Sequence, residues 1–138
     1  MHRLIAARKL YVSVLKRHPL PEARRRKAQI DRICETLARR HESMQRAHRA
    51  SNFRLALSFA MGIRKDCVGY RDVDTQIPIL ELETDYAAGE AFVAQGRHDS
   101  ALRCFSRCSK RNPGFKKVRE RIVTCRKLAK PARPHRIP

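Results

Sequence analysis

The chain has 138 residues, of which 42% are hydrophobic, only 6% are aromatic and none is Trp, and it carries a formal net charge of +19. That length suits one domain with a modest core. No apolar run approaches the ~20 residues that cross a bilayer, which excludes a membrane-spanning helix and any integral membrane contact.

Helical periodicity dominates and no alternating strand pattern interrupts it, so the expected fold class is all-α, with antiparallel helical hairpins and flanking helices. A first helix is predicted over 3–17, ended by His18-Pro19-Leu20-Pro21. Residues 1–20 hold Arg3, Arg8, Lys9, Lys16 and Arg17 without an acid, and Leu4, Ile5, Tyr11, Val14 and Leu15 fall near one face. Such a segment is similar to a mitochondrial presequence. The expectation taken for it is instead a basic amphipathic helix packing on a helical domain at 21–130. Pro21 and Glu22 open a long helix to about 49, Pro being tolerated in a first turn. Its apolar stripe is Ala28, Ile30, Ile33, Cys34, Leu37, Met44 and Ala47. Ser51-Asn52 caps a third helix over 52–65. Gly69, Asp72, Asp74 and Pro78 mark Asp66–Pro78 as a loop. A hairpin of two helices follows at 79–95 and 98–110. A last helix over 115–129, with Phe115, Val118, Ile122, Cys125 and Leu128 on one face, caps its open side. The tail 131–138, rich in Pro and Arg, reads as disordered and basic.

Residues 82–115 carry the most specific pattern. Gly89 and Phe92 lie three apart on the first helix of the hairpin, and Gly96 closes its end. Ala101, Phe105 and Cys108 run down one face of the second helix, and Pro113 stops it. Gly89 and Ala101 let two helix backbones approach closely, while Phe92 and Phe105 fill the space between them. Gly96 can take the left-handed conformation that ends a helix. Pro113 cannot continue one, and it biases Asn112 away from helical geometry. This spacing resembles the tetratricopeptide repeat, a helix–turn–helix unit of about 34 residues. It departs from that family near its start, where Asp85 beside Tyr86 stands in place of a large apolar residue. The resemblance implies stacked helical hairpins serving as a platform for protein partners. A second copy is expected upstream, with Met44 and Ala47 on its first helix and Phe53, Ala56, Phe59, Ala60 and Ile63 on its second. Ala56 and Ala101 are 45 residues apart, and an insertion near Cys67–Pro78 is expected to account for the surplus. Repeats bury their faces only against neighbours, so either the flanking helices act as caps or a partner does.

The charge is partitioned along the chain. Residues 1–65 hold 17 Lys/Arg against 4 Asp/Glu, residues 66–99 hold 2 against 8, and residues 100–138 hold 13 against 1. A domain this basic repels itself and calls for an anionic companion. The candidate anion-binding residues are Arg24, Arg25, Arg26, Lys27, Arg39, Arg40, Lys110, Arg111, Lys116 and Lys117. Arg outnumbers Lys 23 to 9, and its guanidinium meets phosphate or carboxylate with two parallel hydrogen bonds. The acid-rich stretch puts Glu83, Tyr86, Glu90 and Val93 on the hairpin's first helix as candidate peptide- or protein-binding residues. The Lys and Asn lining that the resembled family uses for acidic chaperone tails is missing there. A basic or apolar peptide, or the chain's own basic helices, suits this surface better.

Catalytic signatures are absent. The sequence has no phosphate-binding or dinucleotide Gly-rich loop, no nucleophile elbow and no His-Glu-x-x-His. Its six His are scattered and read as surface or capping residues. Five Cys (34, 67, 104, 108 and 125) lack zinc or disulfide-framework spacing, so a reducing intracellular compartment is expected, cytoplasmic rather than mitochondrial. No cofactor or metal is called for. The function expected is a non-catalytic scaffold or adaptor holding protein partners within a larger assembly, its basic surfaces on an acidic partner. Two alternatives share the charge argument: a peripheral RNA-associated component of a ribosome or mitoribosome, and a protein bound to an acidic filament such as a microtubule. Few aromatics lie among the basic clusters, which disfavours base-specific single-strand recognition.

Overall fold

The computed structural model describes residues 2–17 and 20–129. The expected break at His18-Pro19 and the tail at 131–138 lie outside the described residues. The described residues are all-helical: α1 (His2–Arg17), α2 (Pro21–Arg49), α3 (Phe53–Asp66), α4 (Val73–Ala94), α5 (His98–Arg111) and α6 (Val118–Leu128). The sequence reading gathers 21–130 into one domain. The chain packs as two compact units, Met1–Leu80 and Glu81–Pro138, divided within α4.

In the first unit α2 starts as its sequence dictates. Leu20 is extended, Pro21 occupies the first turn, and Glu22 lies near the positive end of the helix dipole. At its other end Ser51 takes φ 58°, while the N–H groups of Ser51 and Asn52 reach back to the carbonyls of His48 and Ala47. This is the 5→2 and 6→1 pair of a Schellman turn, with serine where glycine is usual. The Asn52 side chain then accepts from Leu55 N–H at 3.3 Å and caps α3. Leu37, Met44, Ala47, Ala56, Ala60, Ile63, Tyr70, Val73, Ile77 and Leu80 form the buried core, against which Leu4 of α1 packs. Only the part of the α2 stripe from Leu37 onward enters that core. Ala28 and Ile33 are exposed, because α3 and the first turns of α4 reach only the C-terminal half of α2.

The loop expected at Asp66–Pro78 is shorter, ending where α4 begins at Val73, and Pro78 lies inside that helix. The apolar spacing outweighs the proline: Val73, Ile77 and Leu80 are 1%, 3% and 0% exposed on one face. Asp72 starts the helix, its carbonyl accepting from Thr75 N–H, Thr75 Oγ1 and Gln76 N–H.

The second unit contains the rest of α4, α5 and α6. Its core is Ala101, Phe105, Cys108, Val118 and Cys125, with Leu82, Tyr86, Phe92, Val93, Leu102, Phe115 and Ile122 packed around it. The last helix starts at Val118, later than expected, because the backbone around Phe115 and Lys116 turns, Lys116 having φ 45°. Leu128 is exposed and does not continue the buried face.

The two units repeat one another internally with a period of 45 residues. Helices α2 and α4 end at Arg49 and Ala94, α3 and α5 span 53–66 and 98–111, and α4 and α6 begin at Val73 and Val118. The residues before α3 and α5 have φ/ψ of −88°/69° and −90°/66°. The left-handed positions recur too, at Ser51 and Gly96 and again at Arg71 and Lys116. No insertion near Cys67–Pro78 is needed, because the connections 67–72 and 112–117 have equal length. The period is 45 throughout, so the Ala56–Ala101 spacing is the repeat itself and not a shorter repeat with an insertion.

Candidate interaction surfaces

The hairpin of the second unit is built on one close approach. A Cβ placed on Gly89 would lie 2.6 Å from Phe105 Cε1, so the ring rests directly on the α4 backbone. Phe105, Ala101 and Cys108 are fully buried. Gly96 takes φ 70° and closes the same Schellman turn as Ser51, with Arg97 N–H on the Phe92 carbonyl. The Arg97 guanidinium lies 4.8 Å from the Phe92 ring, and Pro113 follows the last turn of α5. Burial raises the thiol pKa of Cys108 and of Cys125, keeping both protonated and apolar.

Directly above this contact, each predicted acid of α4 meets a basic side chain of its own unit. Asp85 accepts from Arg107 Nε at 3.1 Å and Nη2 at 2.9 Å, and from Arg111 Nη1 at 3.5 Å. Arg111 also approaches Glu81 at 3.4 Å. Glu83 binds Lys116, whose ammonium stands 5.0 Å from the Tyr86 ring. Glu90 meets Arg121 at 2.7 Å. The hydrogen bonds that Arg107 donates to Asp85 raise its pKa, and Tyr86 followed by Glu90 raises that of Arg121. Tyr86 stands edge-on to Phe105 and Phe115, and Val93 packs against the core. Of the occupants considered from the sequence, the chain's own basic segments therefore hold Glu83, Tyr86 and Glu90. Arg107 and Arg121 were not among the candidate residues; they lie 22 and 31 positions from their partners, beyond any local signal.

The ten candidate anion-binding residues divide. Arg26 pairs with Glu22, Lys27 with Asp31, Arg39 with Glu35 and Arg40 with Asp66, while Arg111 and Lys116 are held as above. Lys27, followed by Arg8, also lowers the Asp31 pKa. Arg24, Arg25, Lys110 and Lys117 are exposed and pair with no carboxylate among the described residues.

A polar site of the first unit escaped the sequence reading. His41, expected as a surface or capping residue, is 4% exposed. Arg71 Nη1 lies 3.4 Å from its Nδ1 and can only donate, so Nδ1 accepts and Nε2–H donates to Asp72 Oδ1 at 2.7 Å. That bond lowers the Asp72 pKa. Beside it opens a groove of about 260 Å³ lined by Met44, Gln45, His48, Arg49, Asp72 and Gln76. Gln45 and Gln76 correspond in the 45-residue period to Glu90 and Arg121. The second unit thus bridges with an ion pair the place where the first leaves two carboxamides beside an open groove.

Among the described residues no group of His, Cys, Asp and Glu is arranged to hold a metal ion, and no helix is long and apolar enough to cross a membrane. All five Cys are free. No family model, curated protein or solved structure matches the chain.

Proposed function

We propose that the protein is a non-catalytic scaffold of tetratricopeptide-like hairpins, used inside a larger assembly and a reducing compartment, that holds an acidic segment of a protein partner. The observation that carries this reading is the groove at Gln45 and Gln76. The repeated backbone presents the same site twice, and only the first copy is left unbridged. The Gln45 carboxamide and the Gln76 carbonyl offer groups matched to a peptide backbone, and Arg49 and His48 line the same groove for an acidic side chain. Asp72 is hydrogen-bonded by His41 at Oδ1 and Gln76 at Oδ2. The exposed Arg24, Arg25, Lys110 and Lys117 add long-range attraction for an anionic partner.

The test rebuilds the second unit's bridge in the first. Gln45→Glu with Gln76→Arg closes the groove while keeping the helices. Native capture from a lysate should return a stoichiometric protein partner with the natural chain and lose it with the double variant. Recovery of the monomer alone, or undiminished capture by the variant, overturns the reading. RNA as the companion would show differently: capture would survive the double variant but fall about 10³–10⁵-fold between 50 and 200 mM salt.

A further inference from the structure

We propose that the side of the α2–α3 hairpin facing away from α4 is a docking groove for an acidic amphipathic helix of a partner protein. Two openings lie on that side, of about 350 Å³ beside Ile33, Leu37 and Asp66 and about 440 Å³ beside Ala47, Leu55 and Phe59. They belong to one stripe of each helix. Along α2, Thr36, Ser43, Ala47 and Ala50 fall at i, i+7, i+11 and i+14; along α3, Leu55, Phe59, Gly62 and Asp66 fall at i, i+4, i+7 and i+11. Met44 of α2 and Ala60 and Ile63 of α3 face the other way, into the core that holds the first turns of α4. The ion pair of Arg8 with Asp31 attaches α1 to the far side of α2 from Thr36, so α1 leaves this stripe open as well.

Gly62 carries the inference. Glycine weakens a helix interior, and nothing inside the first unit requires one here: its φ is not left-handed, and a Cβ built on it meets nothing within 4 Å. Gly89 shows what such a residue serves, since the Phe105 ring rests on its bare backbone. Gly62 offers the same bare backbone on an open face. In the 45-residue period its equivalent is Arg107, which spans the corresponding place in the second unit by binding Asp85. Leu55 and Ile33 are 45% and 40% exposed beside the openings, an apolar surface that calls for a cover. The same helix pair shows what it accepts, because Val73, Ile77 and Leu80 of α4 are buried against its other side at i, i+4 and i+7. Charge then selects the occupant. Arg32 and Arg46 line the openings, and Arg54 and Lys65 flank them along α3. Asp66, the carboxylate among the lining residues, is held by Arg40, and Arg46 meets Glu42 at 3.5 Å on the surface. The cations remain in excess, so acids beside the partner's apolar stripe complement them. RNA would satisfy the cations and leave Leu55 and Phe59 in water. Gln45 lies on the opposite side of α2 from Thr36, so this proposal does not rest on the groove at Gln45 and Gln76.

The experiment uses the full chain and a fluorescent synthetic helix of 14 residues, the length of α3, with Leu at i, i+4, i+7 and i+11 and Glu beside them. Anisotropy measures binding. The natural chain should bind this peptide, and should bind a version with Lys in place of Glu at least about tenfold more weakly. Gly62→Gln covers the bare backbone without strain, and Leu55→Gln removes an exposed apolar contact; each should weaken binding about tenfold or more. Ile79→Gln, at a residue equally exposed on another helix, should leave binding unchanged, as should Gln45→Glu with Gln76→Arg. Circular dichroism confirms that each variant remains folded. Absence of binding, equal binding of the Lys peptide, full binding by Gly62→Gln, or an equal loss with Ile79→Gln or the Gln45/Gln76 double variant overturns the proposal. Self-association that Leu55→Gln abolishes, without binding of the peptide, would give the groove to a second copy of the chain and overturn it too.

Discussion

Replacing Gly89 by Met tests the contact on which the second hairpin is built. Its Cβ would lie 2.6–2.9 Å from three ring atoms of Phe105, and that ring is fully buried with no open side to swing into. Overpacking of this kind costs about 1–3 kcal/mol, and the roughly 1 kcal/mol gained by removing a glycine from a helix offsets only part of it. Phe105→Ala alone should cost about 3–5 kcal/mol through the cavity it leaves. The first unit shows how the two changes cooperate: Met44 and Ala60 occupy the positions equivalent to Gly89 and Phe105, and both are buried in one core. In Gly89→Met with Phe105→Ala the new side chain enters the space the ring vacates. The double variant should therefore be more stable than Phe105→Ala, and short of the additive loss by about 2 kcal/mol or more. Urea unfolding by circular dichroism measures the three losses, and hydrogen exchange across 98–111 locates them in the second unit. Wild-type stability for Gly89→Met, or additivity within about 0.5 kcal/mol, would refute the reasoning.

Ser51 holds a left-handed conformation that Gly96 holds at the equivalent turn, so Ser51→Gly should raise stability by about 0.5–1 kcal/mol and Gly96→Ala should lower it by about 1 kcal/mol. Nothing lies within 4 Å of a Cβ on Gly96, so the loss there would be purely conformational; thermal melts give both signs. The His41 bond depresses the Asp72 pKa, so this carboxylate stabilises the fold above its unfolded value near 3.8 and loses that contribution as pH falls through the lower folded value. Asp72→Asn should then be less stable than the natural chain at pH 6, with the difference shrinking below about pH 4 in acid titrations of the melting temperature. Buried Cys108 and Cys125, their thiols held protonated, should resist alkylation in the native protein while the part-exposed Cys34 and Cys67 react; mass spectrometry after a brief maleimide pulse reads the order.

Helix type and most boundaries were legible in the sequence because they depend on local signals: Pro21 at a start, Asn52 at a cap, Gly96 at a turn, Pro113 beyond an end. The loop at 66–78 was misread for the same reason. Gly69 and Pro78 are local signals too, but Val73, Ile77 and Leu80 gain burial only once α3 is in place. His41 was read as exposed because its partners, Arg71 and Asp72, lie 30 and 31 residues away. The acids of α4 were correctly found to be concentrated, yet their partners on α5, α6 and the turn between them belong to the tertiary fold. The 45-residue spacing was present from the start, measured between Ala56 and Ala101. Few residues recur between the two units at that spacing besides Ala56 and Ala101: Leu37 and Leu82, Leu57 and Leu102, Lys65 and Lys110, Gly69 and Gly114, Val73 and Val118, Ile77 and Ile122.

The scarcity of recurring residues follows from how each hairpin fills the same space. Met44 and Ala60 exchange size with Gly89 and Phe105, and Ala47 and Phe59 exchange size with Phe92 and Cys104. The ion pair of Arg40 with Asp66 reappears at the equivalent positions with its charges reversed, as Asp85 with Arg111. A contact conserved as a sum, with its two contributors swapped, leaves the backbone unchanged and erases the residue match. Equivalent positions that do not compensate are then the informative ones. Arg71 lacks the acid that Glu83 gives Lys116, since Ala38 stands there, and it turns to His41 and Tyr70 instead. Gln76 turns to Asp72 at 3.2 Å, and among the described residues no bridge to Gln45 replaces the Glu90–Arg121 pair. Packing and charge balance account for each other difference in this group, and the carboxamides stand where the second unit has its ion pair, beside the open groove.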